Sequence, residues 1–395
     1  MSDWEETTTA ELISSGLLKI GDGYRAKNSE LVSDGLPFAR AGNINNGFNF
    51  SGADCLPKNY LDVVGEKISN AGDTVFTSKG TVGRFAFVSD VVERFVYSPQ
   101  LCYWRSLNHR MLEPKFVYYW MHSKEFLGQV EGLKGQTDMA DYVNLADQRK
   151  MVITIPQPKE QKAIASVLSS LDDKIDLLHR QNKTLEAMAE TLFRQWFVEE
   201  AGDWEEESFS DFADHLKINI KPAIDPLKLF TYYSLPAFDQ GMRPTIETGN
   251  KILSNKYEVQ PWTILVSKLN PRFPRIWPIG DAPGENAICS TEFQVFKPKN
   301  RNLFGYLYFF LKSNAAREEL IMAASGTSGS HQRVRPEDIS NLWISLPSIE
   351  LAEDYSVLVM PSVKKMMANH VQILKLEKLR DTLLPKLMSG EVRVV

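Results

Sequence analysis

The stretch from Ile164 to Trp196, IASVLSSLDDKIDLLHRQNKTLEAMAETLFRQW, decides the fold. Within it Ile164, Leu168, Leu171, Ile175, Leu178, Asn182, Leu185, Ala189, Leu192 and Trp196 recur at alternating spacings of four and three. That is the period of a helix packing one apolar seam along a partner helix. The expected partner is a second segment, from about Asp354 to Leu387, where Met366, Ile373, Leu376, Leu383 and Leu387 keep the seam and Pro361 breaks or starts it. A helix of about 36 residues is about 54 Å long at ~1.5 Å per residue. An antiparallel pair of that length is a spacer. Asn182, polar at a seam position, either fixes register at a cost in stability or faces a solvent gap.

Working outward, the chain repeats itself. Gly135, Val143, Asp147, Pro156, His179, Gln181, Leu185 and Leu192 return as Gly326, Val334, Asp338, Pro347, His370, Gln372, Leu376 and Leu383, each 191 positions later. Upstream the match continues with small shifts. Asp73–Lys79 pairs with Trp262–Lys268, Tyr118-Tyr119-Trp120 with Tyr308-Phe309-Phe310, and Trp4-Glu5-Glu6 with Trp204-Glu205-Glu206. One constant offset over some sixty residues means two copies of one unit, each a module followed by a helix, with a pseudo-two-fold molecule as the expectation. The expected boundaries are a first module over 1–157, a helical spacer over 158–200, a second module over 201–349 and a second spacer over 350–395.

Each module reads as mixed α/β, so the fold class expected is α+β. Thr74-Val75-Phe76-Thr77 and Phe85-Ala86-Phe87-Val88 flank the turn Gly80-Thr81-Val82-Gly83, a hairpin pattern. Phe116 to Phe126 has the period of one amphipathic helix. Val152–Ile155 reads as a last strand stopped by Pro156 and Pro158, and Ile344-Ser345-Leu346-Pro347 repeats that exit.

Composition sets outer bounds. The 395 residues, 43% hydrophobic and 11% aromatic, suit two or three folded domains. No basic leader precedes an apolar run and no apolar stretch reaches ~18 residues, so a cytoplasmic protein without a membrane segment is expected. Cys55, Cys102 and Cys289 lack paired spacing and fit neither a disulfide framework nor a metal site. The net charge of −5 does not advertise a nucleic-acid ligand, yet Lys251, Lys256, Lys268, Arg272 and Arg275 form a positive stretch. Catalytic signatures are absent: there is no phosphate loop, no dinucleotide-binding glycine motif, no Asn/Asp-Pro-Pro-Tyr/Phe, no His-Glu-x-x-His and no Gly-x-Ser-x-Gly. No catalytic residue, metal or cofactor is therefore expected in this chain.

Two diverged modules, each followed by a long helix, together with three local motifs, resemble the specificity subunits of type I restriction-modification systems. The motifs are Pro158-Lys159-Glu160-Gln161-Lys162-Ala163-Ile164-Ala165, Leu168–Ile175 with Thr191–Phe197, and the closing Lys386-Leu387-Met388-Ser389-Gly390-Glu391. The resemblance covers essentially the whole chain. It implies a split double-stranded DNA target read by one module per half, and helices that dock two adenine-methylating modification subunits, with restriction or translocase subunits as further partners. S-adenosylmethionine, ATP and magnesium would then belong to those partners. The second helix opening, Pro347-Ser348-Ile349-Glu350-Leu351-Ala352, departs from the motif by lacking the Gln-Lys pair. The competing reading is a coiled-coil scaffold whose end domains bind a protein or another non-DNA ligand.

Base edges are read by hydrogen-bonding side chains, and phosphates by cations on loops held out by a scaffold. Three loop regions fit. The hairpin offers Ser78, Lys79 and Arg84, matched by Ser267, Lys268, Arg272 and Arg275. A glycine-containing loop offers Gln136 and Thr137, matched by Ser328, His331, Arg333 and Arg335. Near the start, Arg40, Asn43 and Asn45 have the composition of an adenine-contacting loop and equally of an ordinary turn.

Overall fold

The computed structural model describes residues 4–45, 47–80, 82–133, 142–200, 202, 204–324 and 332–394. The chain forms two compact units, Met1–Lys174 with Leu376–Val395, and Ile175–Lys375. Two helices run through this division, Pro158–Arg194 and Ile349–Met388. The units thus cut across both spacers.

In the first unit the strand Thr74–Thr77 is buried along its whole length. Such a run must be covered on both faces. Phe76 turns to a layer with Trp104, Phe116, Trp120 and Phe126, whereas Val75 turns to Ala39, Phe95, Tyr97 and Tyr103. The strand lies in an antiparallel sheet ordered Leu18–Asp22, Leu101–Ser106, Thr74–Thr77, Phe85–Phe87. A second sheet joins Cys55–Leu56, Leu36–Ala39 and Val96–Tyr97, the last two parallel.

The second unit repeats the plan. Ala213–Leu216, Phe293–Pro298, Ile264–Ser267 and Ile276–Pro278 make its four-stranded sheet. Its second sheet is larger, with five strands, and again sets a pair parallel, Leu229–Tyr233 beside Ile288–Cys289. The exit strands find partners at the start of each module. Glu5–Thr8 pairs with Val152–Ile155, and Glu205–Ser208 with Trp343–Leu346. This explains the repeated Trp-Glu-Glu: each is the lead-in to the strand that closes its own module.

Three sequence expectations are corrected. The span Phe116–Phe126 is two helices, Pro114–Trp120 and Lys124–Leu133, because the Ser123 hydroxyl accepts from Phe126 N at 3.3 Å and starts a new turn. Pro361 neither breaks nor starts the second long helix, which is continuous from Ile349 to Met388. The carbonyl that Pro361 leaves without an amide partner belongs to Val357, which is 70% exposed and can be hydrated. The repeat also aligns one residue differently near the hairpin. Val88 N donates to Asp73 O and Ile279 N to Thr263 O, while Ser78 N donates to Gln100 O and Lys268 N to Glu292 O. Asp73 therefore corresponds to Thr263, and Ser78 to Lys268.

The seam is as the heptads dictate. Ile164, Leu168, Ile175, Leu178 and Asn182 are buried, and Leu171, Leu185, Leu192 and Trp196 half-buried. Past Arg194 the helix widens over Gln195–Glu199, and there Phe197 is buried while the seam residue Trp196 is half-buried. On the second helix Ile373 is buried and Leu376 and Leu383 half-buried. The helices run antiparallel in each unit. In the second, Tyr355 donates its hydroxyl to Ala189 O at 2.8 Å and Asn369 Nδ2 donates to Asn182 Oδ1 at 2.7 Å; in the first, Arg380 pairs with Asp172 at 2.9 Å. Asn182 thus meets another asparagine and no solvent gap.

The opening motif of the first long helix has a physical role. Buried Gln161 accepts from Glu113 N at 2.9 Å and donates to Met111 O and Pro156 O, while Glu160 accepts from Trp4 Nε1 at 3.1 Å. In the second copy Ala352, fully buried, takes the place of Gln161, and Ser348 Oγ accepts from Leu351 N to cap the turn.

Candidate nucleic-acid interface

In both units the hairpin and the loop that follows the helices are pinned together at one point. Val143 N donates to Ser78 O and Val334 N to Lys268 O, each at 2.9 Å. A bridge one residue on, Lys79 with Tyr142 and Leu269 with Arg333, extends each contact. The far strand of each hairpin is held by an arginine, Arg84 in one copy and Arg275 in the other, as shown by the paired bonds Thr77 N to Arg84 O and Ser267 N to Arg275 O. Both arginines reach the short helix after the parallel strand. Arg84 Nη1 donates to Ala41 O at 3.3 Å, and Arg275 grips Asp239 with bonds of 2.6 and 2.9 Å. Three loops therefore converge on one edge in each unit.

The structure sorts the candidates by what their side chains are free to do. Lys79 is exposed and lies over the Tyr142 ring at 5.9 Å; burial pushes the Tyr142 phenol above its ordinary range. Arg40 pairs with Asp54 at 2.7 Å, both half-exposed, a contact too well solvated to immobilise the guanidinium. Asn43 is spent on its own turn, accepting from Arg40 N at 2.8 Å and donating to Asn49 O at 2.9 Å, whereas Asn45 is exposed. Arg272 is exposed, Lys268 half-buried, and Arg335 exposed just ahead of the turn Pro336–Ser340. Arg333 pairs with Glu292 at 3.3 Å.

Several expectations fail on geometry. Ser78 and Ser267 are buried, 1% and 6% exposed, with hydroxyls turned to Gln100 O and Leu269 O, and they cannot reach a groove. Arg275 is committed to Asp239, 36 residues away, and acts as a strut for the hairpin. The positive stretch is not one face. Lys256 is 5% exposed, its ammonium held by Ser254, and burial lowers its affinity for the proton; Lys251 faces Glu247. Gln136, Thr137, Ser328 and His331 lie outside the described residues.

Sequence reasoning passed over Gln100, Asp239, Glu292 and Phe273. Gln100 binds both Ala41 N, through Oε1, and Ser78 N, through its carbonyl, so it joins two of the loops. No local pattern marks such a residue. Among the described residues no group of His, Cys, Asp and Glu is placed to hold a metal, and no helix is long and apolar enough to cross a membrane. What the edge presents is cations, amides and backbone on rigid supports, a surface suited to phosphate and base edges.

Residues 1–187 match the model of the type I restriction modification DNA specificity domain. That match spans the first module and most of the first long helix, and the second unit repeats the strand plan of the first. The chain is similar to the type I restriction enzyme MjaIX specificity subunit of Methanocaldococcus jannaschii, 27% identical over 318 residues, 71% of this chain and 69% of that one. It is also similar to the HindI specificity subunit of Haemophilus influenzae, 26% identical over 206 residues, 50% of this chain and 42% of the other. The crystal structure of the type I restriction-modification S subunit from M. genitalium shares the fold with a TM-score of 0.65 at 16% identity, over 98% of this chain and 96% of that one. Residues 1–187 thus carry the match to a DNA specificity domain, and the relatives that the chain resembles are specificity subunits of type I restriction-modification systems.

Proposed function

We propose that each module, 1–157 and 201–349, reads one half of a bipartite double-stranded target, and that the spacers 158–200 and 350–395 dock two modification subunits that methylate adenine. The observation that carries this reading is the repeated pinning of hairpin and loop, Ser78 with Val143 and Lys268 with Val334. Two equivalent edges on one chain imply two equivalent ligands. Lys79, Arg84, Arg40 and Asn45 form the first edge, and Lys268, Arg272, Arg333 and Arg335 the second.

Catalysis belongs to the partners in this reading. S-adenosylmethionine, ATP and magnesium bind there, restriction or translocase subunits join the same assembly, and the complex works in the cytoplasm. The test is DNA binding by the chain with its modification subunits across a salt series. Counterion release makes affinity fall steeply with salt if phosphates are contacted, with a slope of ~0.9 per phosphate. A flat salt response, or methyl transfer by this chain alone, would defeat the proposal.

A further inference from the structure

The second module's hairpin carries a residue that no phosphate or hydrogen-bonding role explains. Phe273, in Asn270-Pro271-Arg272-Phe273-Pro274-Arg275, is 68% exposed. Local structure does not require the ring, since the turn is closed by Phe273 N donating to Asn270 O, a bond any residue but proline would make. The tip is stiff on both sides. Pro271 and Pro274 restrict the backbone, Asn270 holds φ of 53° with its amide on Gln332 O at 2.8 Å, and Arg275 is clamped by Asp239. The ring is positioned before a partner arrives, so engaging it costs little ordering.

Its surroundings say what that partner is. Lys268 and Arg333 flank the hairpin, and Arg272, next to the ring, is exposed. Beneath the tip Asn270 Oδ1, Glu292 Oε2, Gln332 Oε1 and Arg275 Nη1 are buried without a hydrogen-bond partner among the described residues. An aromatic ring held out among cations fits a polyanion whose interior is stacked rings.

We propose that Phe273 is a wedge that enters the duplex at one base step of the half-site read by the second module; this rests on the DNA reading given above. The ring stacks on the exposed base face while Arg272 meets the neighbouring phosphate. The opened step is a pyrimidine–purine step, which unstacks most readily, so Phe273 adds specificity without a base hydrogen bond. Among the described residues the first module's hairpin offers no exposed aromatic ring. That shorter hairpin turns on Gly80 and Gly83, at φ of 84° and 102°, and Val82 packs back against the core.

The experiment uses the full chain assembled with its modification subunits and duplexes of the mapped target with 2-aminopurine at each step in turn. The expected result is a fluorescence rise at one step of the second module's half-site, lost in Phe273→Ala and kept in Phe273→Trp. Affinity falls on the order of tenfold in Phe273→Ala, with the salt slope unchanged because no charge is removed. No rise at any step, or a rise that survives Phe273→Ala, overturns the wedge. So does loss of assembly with the modification subunits in Phe273→Ala, read by gel filtration, which makes the residue a protein contact. Arg272→Ala and Lys268→Ala separate the two levels: if they weaken DNA binding while Phe273→Ala does not, the wedge alone falls. If they too change neither affinity nor salt slope, the hairpin does not touch DNA and the underlying reading falls with it.

Discussion

The two modules share a strand plan but hold it together differently. In the first, Asp73 is fully buried and accepts from Arg105 at 2.7 Å through both carboxylate oxygens and from the Tyr97 hydroxyl at 2.6 Å. The strand register puts Thr263, Lys297 and Cys289 at these three positions in the second. There Thr263 donates its hydroxyl to Gln260 O at 2.8 Å, and Lys297 donates to Gln260 Oε1 at 3.0 Å. A buried ion pair has become a set of neutral and half-exposed contacts without a change of fold. The scaffold tolerates such exchange because its cores, Phe76 with Trp104 and Trp120 or Val266 with Phe296 and Phe310, are apolar and separate from it. The edges diverge too: the first hairpin turns on glycines, the second extends through prolines and Phe273.

The largest effect should come from breaking the ion pair on one side only. Asp73→Ala leaves Arg105 buried without its partner and is expected to cost about 3–5 kcal/mol, whereas Thr263→Ala removes one hydrogen bond and costs about 1 kcal/mol. Protease susceptibility of each module in denaturant would read this, since the two units need not unfold together. Equal losses would show that the buried pair stabilises its module no more than a single neutral hydrogen bond does.

What the modules have in common is tested at the seam. Ile175 is a seam position only 8% exposed, and Ile175→Asp should cost about 3 kcal/mol and abolish assembly with the modification subunits before either module unfolds. Gel filtration of the mixture reads it. Normal assembly would mean that the seam does not shape the docking surface.

A smaller effect separates the edges. Arg272→Ala should weaken binding and lower the salt slope by about 1, and Lys79→Ala should do the same from the other module. Neither should change which bases are preferred. Salt titrations on the mapped target decide; altered base preference would make these residues base readers.

Most of the architecture was legible because its signals are periodic and local. The 4-3 spacing from Ile164 to Trp196 survives any tertiary context, and the 191-residue offset exposes two copies before any strand is assigned. What failed depended on partners far away in sequence. Nothing near Arg275 announces Asp239, and nothing near Ser78 announces that Gln100 lies over it. Pro361 reads as a helix breaker only if its lost hydrogen bond matters, and beside an exposed Val357 it does not. The one-residue slip at the hairpin arose where similar residues, Ser78 and Ser267, invite a match that the strand register refuses. Phe273 escaped notice because a lone aromatic in a sequence looks like core.

The central claim is that two independent readers share one spacer. Replacing residues 201–347 with the second module of another specificity subunit, both long helices intact, and mapping methylated adenines genome-wide tests it most directly. The account predicts a methylated motif in which one half is new and the other unchanged. A motif altered in both halves, or in neither, would contradict it.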